Sequence, residues 1–132
     1  MTPALLALSR QLAALPGAPE PGLGSAYRGP DGKMRVRDNT GLLWLSDPDQ
    51  PGSTPLAEER FLLDLADPSG ATGGVILALI RPNDRWRIEM SNGYTAHVTV
   101  PGDTVFARAT KCPALAEACA RVLVALGRVG DV

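Results

Sequence analysis

One histidine, His97, and two cysteines, Cys112 and Cys119, are the whole stock of imidazole and thiol in this chain. An imidazole base needs a nucleophile or a carboxylate within hydrogen-bond reach. The strand pairing derived below puts Arg87 directly opposite His97 and leaves Glu89 only diagonal to it, so His97 reads as an exposed strand histidine. Cys112 stands near the start of an expected C-terminal helix, a position that can lower a thiol pKa, but no histidine–carboxylate support accompanies it. Cys119 reads as a small core residue. Two cysteines on one helix at this spacing lie about 10 Å apart, too far to bridge, and reduced thiols suit a cytoplasmic protein.

The sequence Asp47-Pro-Asp49-Gln-Pro51-Gly52, with Glu58 following, fills positions one, three, six and twelve of a calcium loop. Pro51 and Pro55 fall where oxygen ligands belong, and the incoming residues read as a strand rather than a helix. A proline-rich turn followed by a helix cap accounts for the same residues. With no nucleophile–base pair, no metal-ligand cluster and no phosphate-binding loop, the expectation is a protein without metal, cofactor or catalytic residues.

Two polar surfaces remain. Arg28, Lys33, Arg35 and Arg37 give an early hairpin a basic edge, suited to phosphate contacts or to guarding an edge strand against further pairing. Arg85, Arg87, Thr95, His97 and Thr99 line one face of a later hairpin, which can serve as a recognition surface or as a solvated face.

The register of that later hairpin follows from the sequence. Trp86, Ile88 and Met90 alternate with Arg85, Arg87 and Glu89, and Tyr94, Ala96, Val98 and Val100 alternate with Thr95, His97 and Thr99. Period two on both sides means two half-buried strands. A two-residue turn at Asn92-Gly93 would put the apolar rows on opposite faces. A three-residue loop, Ser91 to Gly93, pairs Met90 with Tyr94, Ile88 with Ala96 and Trp86 with Val98, and the buried face selects that register. The expected loop is a type I turn with Gly93 left-handed in a bulge.

Elsewhere, Thr2 and Pro3 open an N-terminal helix, residues 1–15, with the stripe Leu5, Leu8, Leu12 and Leu15. Residues 16–32, rich in proline and glycine, read as a loop. An α+β core then covers residues 33–132. Lys33–Asp38 and Leu42–Leu45 form a first hairpin, and Thr54–Ala66 a second helix. The apolar run in Ala71–Arg81 is compatible with strand or helix and leans to strand. Thr104–Ala109 is a third strand of the later sheet. Thr110 caps a final helix with Pro113 in its first turn, the stripe Leu115, Cys119, Val122 and Leu126, a Glu117–Arg121 pair and Gly127 as terminator. The fold class is α+β: one domain over residues 1–132, a mainly antiparallel sheet with helices on one face, ending strand-strand-strand-helix.

A net charge of −1 supplies no global field to recruit nucleic acid or an anionic membrane. No run approaches the roughly 20 apolar residues that span a bilayer, and Arg10-Gln11 interrupts the apolar run that a signal peptide would need.

The phrases Trp86-Arg-Ile-Glu-Met90, Tyr94-Thr-Ala-His-Val98, Ala107-Arg-Ala-Thr110 and Pro113-Ala-Leu-Ala-Glu-Ala-Cys-Ala-Arg-Val-Leu123 resemble the endings of small phage-encoded α/β proteins with an α-β-α sandwich-like domain. The likeness covers about the last third of the chain, rests on packing motifs and carries no functional residue. It implies a small cytoplasmic accessory protein of a phage or mobile element, working in the host cell by protein–protein interaction, with inhibition of a host system as one concrete form. The same ending also resembles a double-stranded-RNA-binding domain, with Thr54–Ala66 as its first helix. That family places a lysine cluster at the last helix's N-terminus; here Lys111 stands alone before Cys112 and Pro113. Nucleic-acid binding through the basic early hairpin is therefore the alternative to the protein-binding reading.

Overall fold

The computed structural model describes residues 2–20, 22, 24–29, 32–47, 49, 60–67, 85–99 and 106–129. Their elements are α1 (Pro3–Ala13), β1 (Gly24–Arg28), β2 (Met34–Asp38), β3 (Leu43–Ser46), β4 (Phe61–Leu63), β5 (Arg85–Met90), β6 (Tyr94–Thr99), β7 (Phe106–Cys112) and α2 (Leu115–Leu126). The strands form two antiparallel sheets, β1-β2-β3-β4 and β5-β6-β7. The fold is α+β and ends strand-strand-strand-helix, with its strands divided between two sheets.

Helix α1 begins as its sequence dictates. Thr2 Oγ1 accepts the Leu5 N–H at 3.2 Å, and Pro3 occupies the first turn, where its missing N–H costs nothing. Leu8 and Leu12 are buried, with Leu5 and Leu15 packed against the same core.

The first hairpin, β2–β3, is organised by one carboxylate. Asp38 Oδ1 accepts the Thr40 N–H, the Thr40 hydroxyl and the Leu42 N–H, while Oδ2 accepts the Trp44 indole N–H at 2.7 Å. One aspartate thus closes the turn and orients the largest side chain of the core. Burial pushes the Asp38 carboxyl up, but the bonds from Thr40, Trp44 and Leu42 outweigh it and hold the group below the usual range. Asp47, buried at the end of β3, behaves alike: burial raises it, and the Arg10 guanidinium at 2.8 Å and the Asp49 N–H pull it lower still. Both shifts are downward, so both groups add stability above the ordinary aspartate pKa of about 3.9 and lose it as pH falls through their depressed values. Urea midpoints should therefore be level from neutral pH to about 5 and fall below about 4, and Asp38→Asn should flatten that fall.

Two stretches depart from expectation. Within the segment read as a loop, residues 16–32, Gly24–Arg28 forms strand β1 along the edge of the first sheet. All five of its residues are exposed, so it lacks the alternation that betrays a half-buried strand. Its glycine is an approach requirement rather than turn punctuation: a Cβ on Gly24 would overlap the Arg37 carbonyl. Second, Phe61–Leu63, assigned to a helix over Thr54–Ala66, is strand β4, paired with β3 through Trp44↔Leu63, Leu45↔Leu62 and Ser46↔Phe61. All three are buried, and a strand covered on both faces shows no period two in so short a run. Residues 54–59 of the expected helix, and the segment 71–81, lie outside the described residues.

Val36, Trp44 and Leu63 of the first sheet lie in the core cluster that also holds residues of α1 and α2. Leu43, Leu45 and Leu62, from the alternate rows, are equally buried, so this region of the sheet is closed to solvent on both faces. Ser9 of α1 donates its hydroxyl to the Leu63 carbonyl at 2.8 Å.

Helix α2 is the centre of the molecule. Ala116, Cys119, Ala120 and Leu123 belong to the core cluster that holds residues of α1 and the first sheet, while Ala118 and Val122 belong to the one that holds Ala96, Val98 and Ala109 of the second. A helix flanked on two sides needs apolar residues nearly all round, and small ones let its neighbours approach closely. The alanine-rich composition has that cause. Glu117 and Arg121 pair at 2.9 Å, and Gly127 ends the helix at φ +77°. Thr110, expected as the cap, lies in β7. The cap position is Ala114, which makes no side-chain bond, and Pro113 precedes it. The displacement comes from a bulge: Lys111, at φ +54°, is the extra residue that carries β7 on to Cys112.

Candidate functional site

The second sheet has one packed face and one open face. Strands β5 and β6 pair in the register their apolar rows require, Trp86↔Val98, Ile88↔Ala96 and Met90↔Tyr94. The loop has three residues, but it is not a type I turn, because Asn92 (φ +53°) joins Gly93 (φ +108°) in the left-handed region. Gly93 also sits against the bulge, where a Cβ would lie 2.9 Å from the Cys112 carbonyl oxygen.

On the packed face, Ala96, Val98 and Ala109 meet α2. Trp86 packs against both apolar clusters, and its indole N–H is the buried side-chain polar atom that lacks a partner among the described residues.

The other face carries the polar residues singled out by alternation: Arg85, Arg87 and Thr99 are exposed, and Thr95 and His97 half-buried. The structure adds a member that the pairing of β5 and β6 alone does not reveal. Arg87 is opposite His97, and His97 is opposite Arg108 of β7. A basic row therefore runs straight across all three strands, about 10 Å from end to end at the usual strand spacing. The alternation of Arg108 between Ala107 and Ala109 held the signal, but only the β6–β7 register places it beside His97. Glu89, next along β5, takes the Arg87 guanidinium at 2.6 Å in an exposed pair.

The basic residues of the early hairpin are engaged within the chain. Arg35 donates to Asp64 at 2.9 Å in a pair that is 14% and 3% exposed, Arg37 donates to the Gly41 carbonyl at 3.1 Å and Arg28 to the Gly32 carbonyl at 2.6 Å. Lys33 lies just before β2 and also has a partner.

The remaining candidates for chemistry have structural surroundings. Cys112 lies on β7 rather than in the helix. Burial, then the charge of Glu117, push its thiol up instead of activating it. Cys119 is wholly buried and pushed up to about 12 by that burial and by Cys112. Asp47 and Asp49, at two of the calcium-loop positions, both pair with Arg10. Among the described residues there is no group of three or more potential metal ligands, and no helix is long and apolar enough to cross a membrane.

Comparison with protein-family models, with curated proteins and with solved structures returned no match. The class that fold and site define is an α+β protein in which a central helix backs a three-stranded sheet with an open, basic polar face.

Proposed function

We propose that this chain is a non-catalytic accessory protein of phage or mobile-element type, which acts in the host cytoplasm by binding another protein through the open face of the second sheet. Inhibition of a host system is the concrete form of that action. The observation that carries the reading is the asymmetry of this sheet: α2 packs on one side, while Arg85, Arg87, Thr95, His97, Thr99 and Arg108 occupy the other. Four of these six, Arg85, Arg87, Thr99 and Arg108, are exposed, and polar residues fixed on paired strands make a rigid recognition surface. The likeness of the last third to phage-encoded proteins supports the biological setting.

Arg87→Glu combined with His97→Ala should abolish capture of the partner from nuclease-treated host lysate, leaving the thermal midpoint and circular dichroism of the protein as in wild type. Undiminished capture by a folded double variant would remove the face from consideration.

A further inference from the structure

The open face also indicates what kind of surface it meets. Among the described residues of this face, three arginines, Arg85, Arg87 and Arg108, stand against one carboxylate, that of Glu89, so they give it a positive charge in a chain whose net charge is −1. Arg87 and Arg108 stand on either side of His97 in one row across three adjacent strands, and both are exposed, so two guanidinium groups about 10 Å apart at the usual strand spacing complement a segment that carries several carboxylates. Arg87 already holds a carboxylate: Glu89 at 2.6 Å, with the two side chains 76% and 46% exposed. Such an exposed pair is held weakly and exchanges at little cost, and a guanidinium fork suits carboxylate geometry.

Resting on the reading of this face as the docking surface, we propose that the Arg87–His97–Arg108 row, with Arg85 beside it, recognises a carboxylate-rich segment of the partner protein. Thr95 and Thr99 flank the row with hydroxyls able to donate to the same carboxylates. A protein segment fits better than a nucleic acid. The group that Arg87 holds within the chain is a carboxylate, that of Glu89, whose two-oxygen geometry matches the guanidinium fork.

The test is selection from a random dodecapeptide library by the full chain, with parallel selection by the Arg87→Glu/Arg108→Glu variant. Enrichment of Asp- and Glu-rich peptides by the wild type alone is expected, and synthetic peptides from that pool should bind about tenfold more weakly for each arginine reversed. Arg87→Gln/Arg108→Gln, which adds no repulsion, should lose part of that affinity with circular dichroism unchanged. Variant-sensitive peptides that are neutral or apolar would overturn the acidic assignment and leave the docking face standing. Peptides that bind the charge-reversed variant as well as the wild type, or no enrichment at all, would overturn both. A single-stranded oligonucleotide that binds the wild type more tightly than the acidic peptides would transfer the row to nucleic acid and also overturn the proposal.

Discussion

Trp44→Ala is expected to lower the free energy of unfolding by about 3–5 kcal/mol, the range for removing a large aromatic side chain from a core. Trp44 is 2% exposed and shares a cluster with Leu8 and Leu12 of α1, Phe61 and Leu63 of β4, and Ala120 and Leu123 of α2. The cavity would therefore open where four elements meet, and residues held by several neighbours cannot collapse to fill it. The substitution also strips Asp38 of its indole donor, leaving the other three bonds to Asp38 to hold the turn. Trp44→Phe separates the two contributions, since it keeps most of the volume and deletes the bond to a charged acceptor, worth about 1.5–3 kcal/mol. Urea unfolding with an unchanged slope and a lower midpoint is the measurement. A Trp44→Ala midpoint within error of wild type would mean that the first sheet is not the packing partner of α1 and α2.

Arg35→Ala is expected to be nearly as damaging, about 3 kcal/mol, because it leaves the Asp64 carboxylate, 3% exposed, without its guanidinium. Replacing both partners by apolar residues, Arg35→Met with Asp64→Leu, should recover most of the loss, because the pair repays its own desolvation only when intact. This pair of variants bears on function as well as stability. If Arg35 served as a phosphate contact, its removal would weaken nucleic-acid binding and leave stability nearly untouched, as for other exposed side chains. A large loss of stability on Arg35→Ala, relieved by the second substitution, identifies the residue as part of the scaffold.

The β5–β6 register was legible because one apolar and one polar row alternate on each strand, and a slip by one residue would bury the polar row of one strand, with either Arg87 or His97 in it. The hairpin between Asp38 and Leu42 was legible for a similar local reason, an Asn-Thr-Gly turn between apolar strands. Arg35 was misleading because its partner, Asp64, lies beyond a long stretch of chain that gives no hint of the pairing. The segment around Phe61 was misread because a strand buried on both faces carries no period-two signal, and Leu56, Phe61, Leu62 and Leu65 can be drawn as a helical stripe. Strand β1 was invisible for the opposite reason: fully exposed, it has no apolar pattern, and pairing with β2 alone defines it. Of the candidate site, alternation located five members, and Arg108 waited for the β6–β7 register. The end of β7 shows how a single bulged residue displaces a cap: Thr110 has the chemistry to begin a helix, but Lys111 and Cys112 continue the strand past it.

In the proposed function, the open face of the second sheet, and not the early hairpin, meets a protein. Photocrosslinking locates the contact directly, with a benzophenone amino acid placed at Thr99 on that face in one variant and at Arg28 in another, both positions being exposed. After irradiation in host lysate, the expected result is one covalent protein adduct from the Thr99 variant, absent when Arg87→Glu and His97→Ala are added, and none from the Arg28 variant. A protein adduct from Arg28 alone, or a nuclease-sensitive adduct from either position, would contradict it.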